Sequence, residues 1–153
     1  MCVSRLIIVA LFAVAHSSLA RCEPIAADQV HVVDGDTIRI YHETPDVRLV
    51  GFNAPETRRA QCAQERELGD RATRRLRDIV RSQPLDFDFV DCSCPPGTEG
   101  TFSCNYGRSC GVLKANGTDI GQTLISEGLA VPFPCGPTRC PKTPRPWCNR
   151  PHS

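Results

Sequence analysis

The amino-acid sequence predicts an α+β protein of mainly β structure, arranged as a five-stranded barrel with two helices. Five short segments alternate apolar and polar residues and are rich in β-branched side chains, which is the pattern of half-buried strands. A long amphipathic segment separates the third strand from the fourth, and a shorter helical segment follows the fifth. Glycine, proline and aspartate cluster between these segments, where tight turns are needed.

The predicted strands occupy residues 29–33, 37–41, 47–52, 84–90 and 109–115. The first three form a meander, because a DGD turn at 34–36 and a turn at 43–46 separate them. The dipeptide Asn116-Gly117 ends the fifth strand with a strong turn signal. Five strands with a helix between the third and the fourth describe an OB-type barrel, a fold that commonly binds nucleic acid or sugars on one face.

An Arg-rich helix is predicted over residues 64–82. Its apolar residues fall on one stripe, which is expected to face the core: Leu68, Ala72, Leu76, Ile79 and Val80. Pro84 ends this helix, because the residue before a proline avoids the helical conformation. A short helix is predicted within 118–130, with Gly128 near its end.

A secretory signal peptide is predicted over residues 1–20. An apolar stretch at 6–15 is followed by small residues and by a cleavage position after Ala20. This stretch is too short to span a membrane and no later one is long enough, so we expect a secreted or periplasmic monomer without membrane contact. The mature chain is predicted to form a barrel domain over 21–133 and a Cys/Pro-rich tail over 134–153 that packs on it.

Cysteine is abundant, with ten residues in a chain of 153. In an exported protein these cysteines are expected to form disulfides. Zinc binding is the alternative, but the CSC sequence at 92–94 and the spacing of the last three cysteines lack the paired C-x-x-C of zinc ribbons. Removing Cys2 with the signal peptide leaves an odd number. One cysteine is therefore free, pairs between chains or, at Cys22, carries lipid, and the pairing cannot be read from the sequence.

Charge is balanced in the mature chain, which has equal numbers of basic and acidic residues once the signal peptide is removed. A nucleic-acid partner must therefore be held by a local patch instead of by overall charge. Residues 58–81 hold eight arginines and four acidic residues. The excess of positive charge in this segment is suited to binding a polyanion. A solvated helix face with ion pairs is nevertheless the favoured interpretation.

Polar and charged side chains of the types used in catalysis cluster at the ends of the predicted strands. Asp34 and Asp36 flank a glycine, where they are either solvated turn residues or ligands of a hard cation. Arg48 lies in an otherwise apolar strand, where an unpaired charge is costly unless the side chain reaches solvent from a sheet edge. Glu56 follows the third strand behind a stiffening proline, and Arg108 precedes the fifth. Oxygen ligands, a glutamate and two arginines are the groups that phosphodiester cleavage requires.

Three motifs make this interpretation specific: DGDT at 34–37, RLVGFNAPE at 48–56 and YGR at 106–108, with the amphipathic helix between the second and the third. In this order they resemble the thermonuclease, or staphylococcal nuclease-like, family over roughly residues 28–133. The resemblance implies a nuclease that depends on Ca²⁺, acts on DNA and RNA through an OB barrel and leaves 3′-phosphate products.

The resemblance also implies roles for individual residues. The implied calcium ligands are Asp36, Asn53 and the backbone carbonyl of Ala54. Glu56 is implied as the base that activates water, and Arg48 and Arg108 as the groups that bind the phosphate. Tyr106 is implied beside a base or a phosphate, with Asp34 farther from the metal.

Asn53 departs from the family pattern, because the best-known members carry aspartate at this position. A neutral amide is expected to weaken calcium binding, and Asn53→Asp to tighten it, unless the metal site is lost altogether. The long C-terminal helix of the family is also missing, and the tail with Trp147 is expected to cover the same core surface. Disulfides of the insertion at 91–105 are expected to fix the approach of Arg108, so that reduction lowers activity.

Two other classes of protein compete with a nuclease. A nuclease-like module that binds nucleic acid or protein without cleaving it would share the fold. Inactive copies of this domain usually lose the arginines and the glutamate together, whereas Arg48, Glu56 and Arg108 are all present here. A disulfide-rich structural or inhibitor protein explains the cysteines but not the three ordered motifs.

Overall fold

The computed structural model describes residues 23–41 and 45–148. The predicted signal peptide, Cys22, part of the turn predicted at 43–46 and the last five residues of the predicted tail lie outside the described residues. Within the described ranges, no helix combines the length and the apolar character that crossing a membrane requires.

Two sheets organise the described chain. Their strands are β1 (Glu23–Ile25), β2 (Val30–Val32), β3 (Thr37–Ile40), β4 (Val47–Leu49), β5 (Gly51–Asn53), β6 (Leu85–Val90), β7 (Ser109–Ala115), β8 (Thr118–Asp119) and β9 (Val131–Phe133). The larger sheet has the order β1-β6-β7-β4-β3-β2, with β8 added to β7, and the smaller sheet pairs β5 with β9. β4 and β7 pair in parallel, which joins the meander to the β6–β7 hairpin and curls the sheet into a half-barrel.

The strand count differs from the prediction. All five predicted segments carry strands, but the third one is divided into β4 and β5, which belong to different sheets. Gly51 has a φ of 91°, so the backbone turns there in a conformation that favours glycine. The additional strands β1, β8 and β9 have only two or three residues each, too few to show a period-two pattern.

Two helices pack on the sheet: α1 (Ala63–Ser82) and α2 (Ile120–Ser126). Cys62 caps the start of α1, where its sulfur accepts the backbone N–H of Glu65, and Pro84 follows its end. The apolar stripe of α1 enters a core whose fully buried members include Ile38, Val47, Leu49, Leu76, Leu113 and Leu124. Removing this apolar surface from water is the main force that holds the helices on the barrel.

Four disulfides connect the eight cysteines within the described ranges. The pairs are Cys62–Cys148, Cys92–Cys110, Cys94–Cys104 and Cys135–Cys140. The second pair ties the insertion to the start of β7, the third closes a loop within the insertion, and the first ties the tail to the start of α1. Zinc binding finds no support here, since the described residues include no group of three or more His, Cys, Asp or Glu that could hold a metal ion.

Candidate active site

A cleft of about 1010 Å³ opens beside β3, β4 and β5 and is bordered by the insertion and by the tail. Its lining includes five of the six residues expected to act: Asp36, Arg48, Asn53, Glu56 and Arg108. The sixth residue, Ala54, is buried, and its N–H donates to Asp36 Oδ2 at 2.8 Å. The fold therefore brings together residues that are spread over more than seventy positions of the chain.

Arg48 is the centre of this cluster. Thr37 lies opposite Arg48 in the β3–β4 register, which places the neighbouring Asp36 beside the guanidinium. Arg48 Nη1 donates to Asp36 Oδ1 at 2.6 Å, and Nη2 donates to Asn53 Oδ1 at 2.8 Å. The Arg48 side chain is only 14% exposed, so it is a paired interior cation and not an arginine that reaches solvent from a sheet edge.

Asp36 is the buried anion of the site. Burial raises the pKa of Asp36 from 3.8 to about 6, against the effect of Arg48, which lowers it. The Asp34 carboxylate raises this pKa further, whereas the hydrogen bonds from Ala54 and Thr37 lower it. Because burial outweighs the ion pair, the ionised carboxylate is not fully compensated, and a second cation beside Asp36 would be electrostatically favourable.

The oxygen atoms around Arg48 suit a hard cation. Asp36 Oδ1 and Asn53 Oδ1 both accept hydrogen bonds from this one guanidinium, so they converge on a positively charged group. Carboxylate, amide and backbone carbonyl oxygens are the ligands that calcium takes in proteins. Asp36 and Asn53 therefore offer two side-chain oxygens of the kind that calcium takes, with a single formal negative charge between them.

The side-chain amide of Asn53 is oriented by the tail. Asn53 Nδ2 donates to the carbonyl oxygen of Pro144 at 3.0 Å, a residue 91 positions later in the chain. This bond turns Asn53 Oδ1 toward Arg48. A carboxylate at position 53 has no proton to donate, so one of its oxygens would face the Pro144 carbonyl instead. The tail thus gives a structural reason for an amide at this position, which the local motif does not reveal.

The loop that carries Glu56 lies directly against α1. A Cβ atom at Gly69 would approach the carbonyl oxygens of Pro55 and Glu56 to 2.7 Å, so the loop can lie this close only over a glycine. The completely buried Glu65 carboxylate accepts the backbone N–H groups of Glu56 at 3.4 Å and of Gln61 at 2.7 Å. These contacts hold the loop in place while the Glu56 side chain remains half-buried at the cleft.

Arg145 of the tail compensates the charge of Glu65. Its Nη2 and Nε donate to Glu65 Oε1 at 2.7 and 3.0 Å, and Nη2 also donates to the Arg59 carbonyl at 2.9 Å. The Cys62–Cys148 disulfide holds the tail at the same place. The sequence alone does not reveal the roles of Glu65 and Arg145, because 80 residues separate them. The available signal, an acid in the first turn of a helix, is explained equally well by the helix dipole.

Arg108 presents a guanidinium without a carboxylate partner. Its Nε and Nη2 donate to the Asn105 carbonyl at 3.1 Å and to Asn105 Oδ1 at 2.9 Å, and Nη1 donates to Thr37 Oγ1 at 3.3 Å. No described carboxylate lies within ion-pair distance of Arg108. Burial lowers the pKa of Arg108, and the neighbouring Arg48 lowers it further. The direct hydrogen-bond partners of this partly buried cation are all neutral, which leaves its charge suited to an anion.

The turn before Arg108 has an unusual backbone. Asn105, Tyr106 and Gly107 have φ values of 51°, 59° and 77°, which is the left-handed region that non-glycine residues rarely occupy. The insertion's two disulfides flank this turn. Asn105 is a positioning residue for Arg108, a role not predicted from the sequence, although the tolerance of asparagine for this conformation is a signal for it.

Aromatic side chains stand beside the arginine. Tyr106 is 62% exposed, and its ring lies 5.7 Å from the Arg108 guanidinium carbon. Phe102, which is 77% exposed, meets the Tyr106 ring edge-to-face at 5.1 Å. Exposed rings next to a guanidinium offer a surface on which a nucleobase can stack.

The curled sheet and its cleft define a class of protein, a small OB-like barrel whose cleft gathers two arginines and several carboxylates. The chain belongs to the staphylococcal nuclease homologue family, whose model matches residues 46–142. The family predicted from the three sequence motifs is thereby confirmed.

Two curated relatives match this chain, and both come from Bacillus subtilis (strain 168). The SPbeta prophage-derived endonuclease YokF and the endonuclease YncB are each 33% identical to it over 101 residues. The alignments cover 64% of this chain but only 31% of YokF and 43% of YncB. The chain thus spans less than half the length of these two relatives.

Proposed function

We propose that this protein is an exported, calcium-dependent nuclease that hydrolyses phosphodiester bonds of DNA, RNA or both and leaves 3′-phosphate products. Membership of the nuclease family and the endonuclease names of two relatives support a phosphodiester-cleaving hydrolase. The observation that carries the proposal is the Arg108 guanidinium, which has no ion-pair partner among the described residues and shares one cleft with Arg48, Asp36 and Glu56. This combination can bind a phosphate, hold a cation and activate water.

The arginines would bind the phosphodiester. A guanidinium fork matches two phosphate oxygens at once, and it stabilises the negative charge that develops as water attacks phosphorus. Arg108 would bind a phosphate without giving up an ion pair, because its hydrogen-bond partners in the structure, Asn105 and Thr37, are neutral. Arg48 can keep its bonds to Asp36 and Asn53 only in part when it turns toward a phosphate.

Glu56 would act as the general base. It would accept a proton from a water molecule whose oxygen forms the new bond to phosphorus, while the bond from phosphorus to the 5′ oxygen breaks and that oxygen takes up a proton. A positioned base of this kind contributes about 10² to 10⁴ in rate. The backbone at Glu56 is fixed by Glu65 and by the contact with Gly69, which limits the positions available to the carboxylate.

Calcium would be held by Asp36, Asn53 and the Ala54 carbonyl, and it would supply positive charge near the phosphate oxygens. The oxygen donor set and the incomplete compensation of Asp36 support this assignment. A neutral ligand at position 53 implies weak binding, which suits a compartment rich in calcium. Disulfides are stable outside the reducing cytosol, so the four observed pairs support export to a secreted or periplasmic location.

Cleavage of single-stranded DNA by the oxidised protein, with calcium titrated against a chelator, tests the proposal. We expect cleavage that rises with calcium, disappears with the chelator and gives fragments with 3′-phosphate ends. Binding without cleavage at every calcium concentration, by a protein whose folding is verified by circular dichroism, would instead favour the non-catalytic module.

The Asn53→Asp variant is expected to bind calcium about tenfold more tightly, because the ligand set gains one negative charge. Its stability without calcium should fall by about 1–2 kcal/mol, since the donor to the Pro144 carbonyl is lost. Calorimetric titration and thermal unfolding measure the two effects separately. Asn116→Asp, the same change at an exposed turn, is the matched control. An unchanged calcium affinity would exclude residue 53 from the ligand set.

A further inference from the structure

A second cleft, of about 530 Å³, borders the arginine-rich face of α1. Its charged lining consists of Arg58, Arg66, Arg74, Arg77 and a single acid, Asp70. This basic cleft shares Val33, Thr57 and Arg58 with the catalytic cleft. The two clefts therefore meet, and the basic cleft continues the surface on which a phosphodiester would be cleaved.

The arginines of the basic cleft are not neutralised. Within the described residues none of the four forms an ion pair, and the one α1 arginine that does is Arg75, which pairs with Glu127 of α2. Arg77 donates to the Val32 carbonyl at 3.4 Å, a contact that orients its guanidinium without cancelling the charge. The ion-paired helix face favoured from the sequence is therefore absent along this cleft, and its positive charge is available to a ligand.

Spacing along the helix suits an extended polyanion. Arg66 and Arg74 are eight positions apart on one face of α1, which corresponds to roughly 12 Å along the helix axis. This length exceeds the separation of neighbouring phosphates in a strand, so the two side chains can contact different phosphates. The lining includes no aromatic residue among those described, which favours contacts to the backbone over contacts to bases.

We propose that the basic cleft binds the phosphodiester backbone of the same nucleic-acid strand whose scissile phosphate lies at Arg48 and Arg108. The inference rests on the proposed function, since it needs a strand in the catalytic cleft. It supplies the local positive patch that a chain with a net charge of only +1 requires in order to hold a polyanion. The cleft selects strands that extend several nucleotides beyond the cleavage point, and it does so without regard to base sequence.

The test compares Arg66→Ala/Arg74→Ala with Arg71→Ala/Arg81→Ala, which removes the same charge from exposed α1 positions outside the cleft. Binding of a labelled oligonucleotide of about twelve nucleotides is measured by fluorescence anisotropy in the presence of chelator. KM and kcat are then measured for this oligonucleotide and for a dinucleotide.

We expect the cleft variant, Arg66→Ala/Arg74→Ala, to bind the long strand roughly tenfold more weakly. The slope of its log affinity against log salt concentration should be smaller by about 1–2. Its kcat and its dinucleotide KM should not change. Asp70→Asn should tighten binding of the long strand.

Equal losses in the two double variants, or an equal loss for the dinucleotide, would overturn the inference while leaving the nuclease assignment intact. An unsubstituted protein that neither binds nor cleaves any nucleic acid would overturn both. Thermal unfolding of each variant verifies that the exposed substitutions leave the fold unchanged.

Discussion

An Arg108→Ala protein is expected to cleave nucleic acid about 10²- to 10³-fold more slowly than the parent, as is typical when one preorganised donor to a developing anion is removed. Its stability should stay within about 1 kcal/mol of the parent, because the lost bonds to Asn105 and Thr37 are neutral and a partly buried cation is removed with them. Single-turnover cleavage and denaturant unfolding measure the two quantities. Near-normal cleavage would exclude Arg108 from the site.

Three further variants serve as comparisons for the Arg108→Ala protein. Arg108→Lys should recover little, because an ammonium group lacks the planar fork. Arg81→Ala, an exposed arginine of α1, should change neither rate nor stability. Glu56→Gln should slow turnover by about 10² to 10⁴ while substrate binding persists, as expected for loss of a general base.

Arg48 is a less suitable test of catalysis than Arg108. The sequence alone predicts that removing either arginine harms turnover far more than folding. The structure changes that expectation for Arg48, whose removal leaves the buried Asp36 carboxylate without its ion pair. A slow Arg48→Ala enzyme would therefore combine a lost phosphate contact with a disturbed site.

Arg145→Ala is expected to destabilise the protein by about 3 kcal/mol, because it leaves the fully buried Glu65 carboxylate without a counter-charge. The unfolding temperature should fall by roughly 10 °C. Activity should fall too, since Glu65 holds the loop that carries Glu56. Scanning calorimetry of the oxidised protein measures the loss.

The double variant Arg145→Ala/Glu65→Gln identifies the cause. A glutamine can still accept an N–H from the loop but brings no buried charge, so the double variant should recover much of the stability that Arg145→Ala loses. Lys142→Ala, an exposed basic residue of the same tail, should have no effect. A double variant no more stable than Arg145→Ala would show that Glu65 is not the origin of the loss.

Local patterns were enough to predict the mainly β class, the long helix and most of the candidate residues that the fold gathers in one cleft. The motif from Arg48 to Glu56 lies within nine consecutive residues, and the order of strands and helix places it near Asp36 and Arg108. Such features depend on periodicity and on short turns, which a single sequence displays directly.

Contacts between distant parts of the chain could not be predicted in this way. The Glu65–Arg145 ion pair and the Asn53–Pro144 hydrogen bond join the site to the tail across 80 and 91 residues. Neither tail residue belongs to a periodic segment, so only the folded backbone reveals its partner. The break at Gly51 was hidden for another reason, because a glycine inside an alternating segment does not by itself show that the strand changes sheets.

The number of residues between bridged cysteines predicts the order in which the four disulfides form. Three of the bridges join cysteines 5, 10 and 18 residues apart, whereas Cys62 must wait for Cys148, which is 86 residues farther along. Closing a long loop costs more entropy than closing a short one, so the tail bridge is expected to form last. The Cys62–Cys148 bridge holds the tail against the start of α1, where Arg145 pairs with the glutamate that fixes the Glu56 loop. For the proposed exported nuclease, we expect the support of this loop to be complete only in an oxidising compartment, so that the cell that synthesises it is shielded until then.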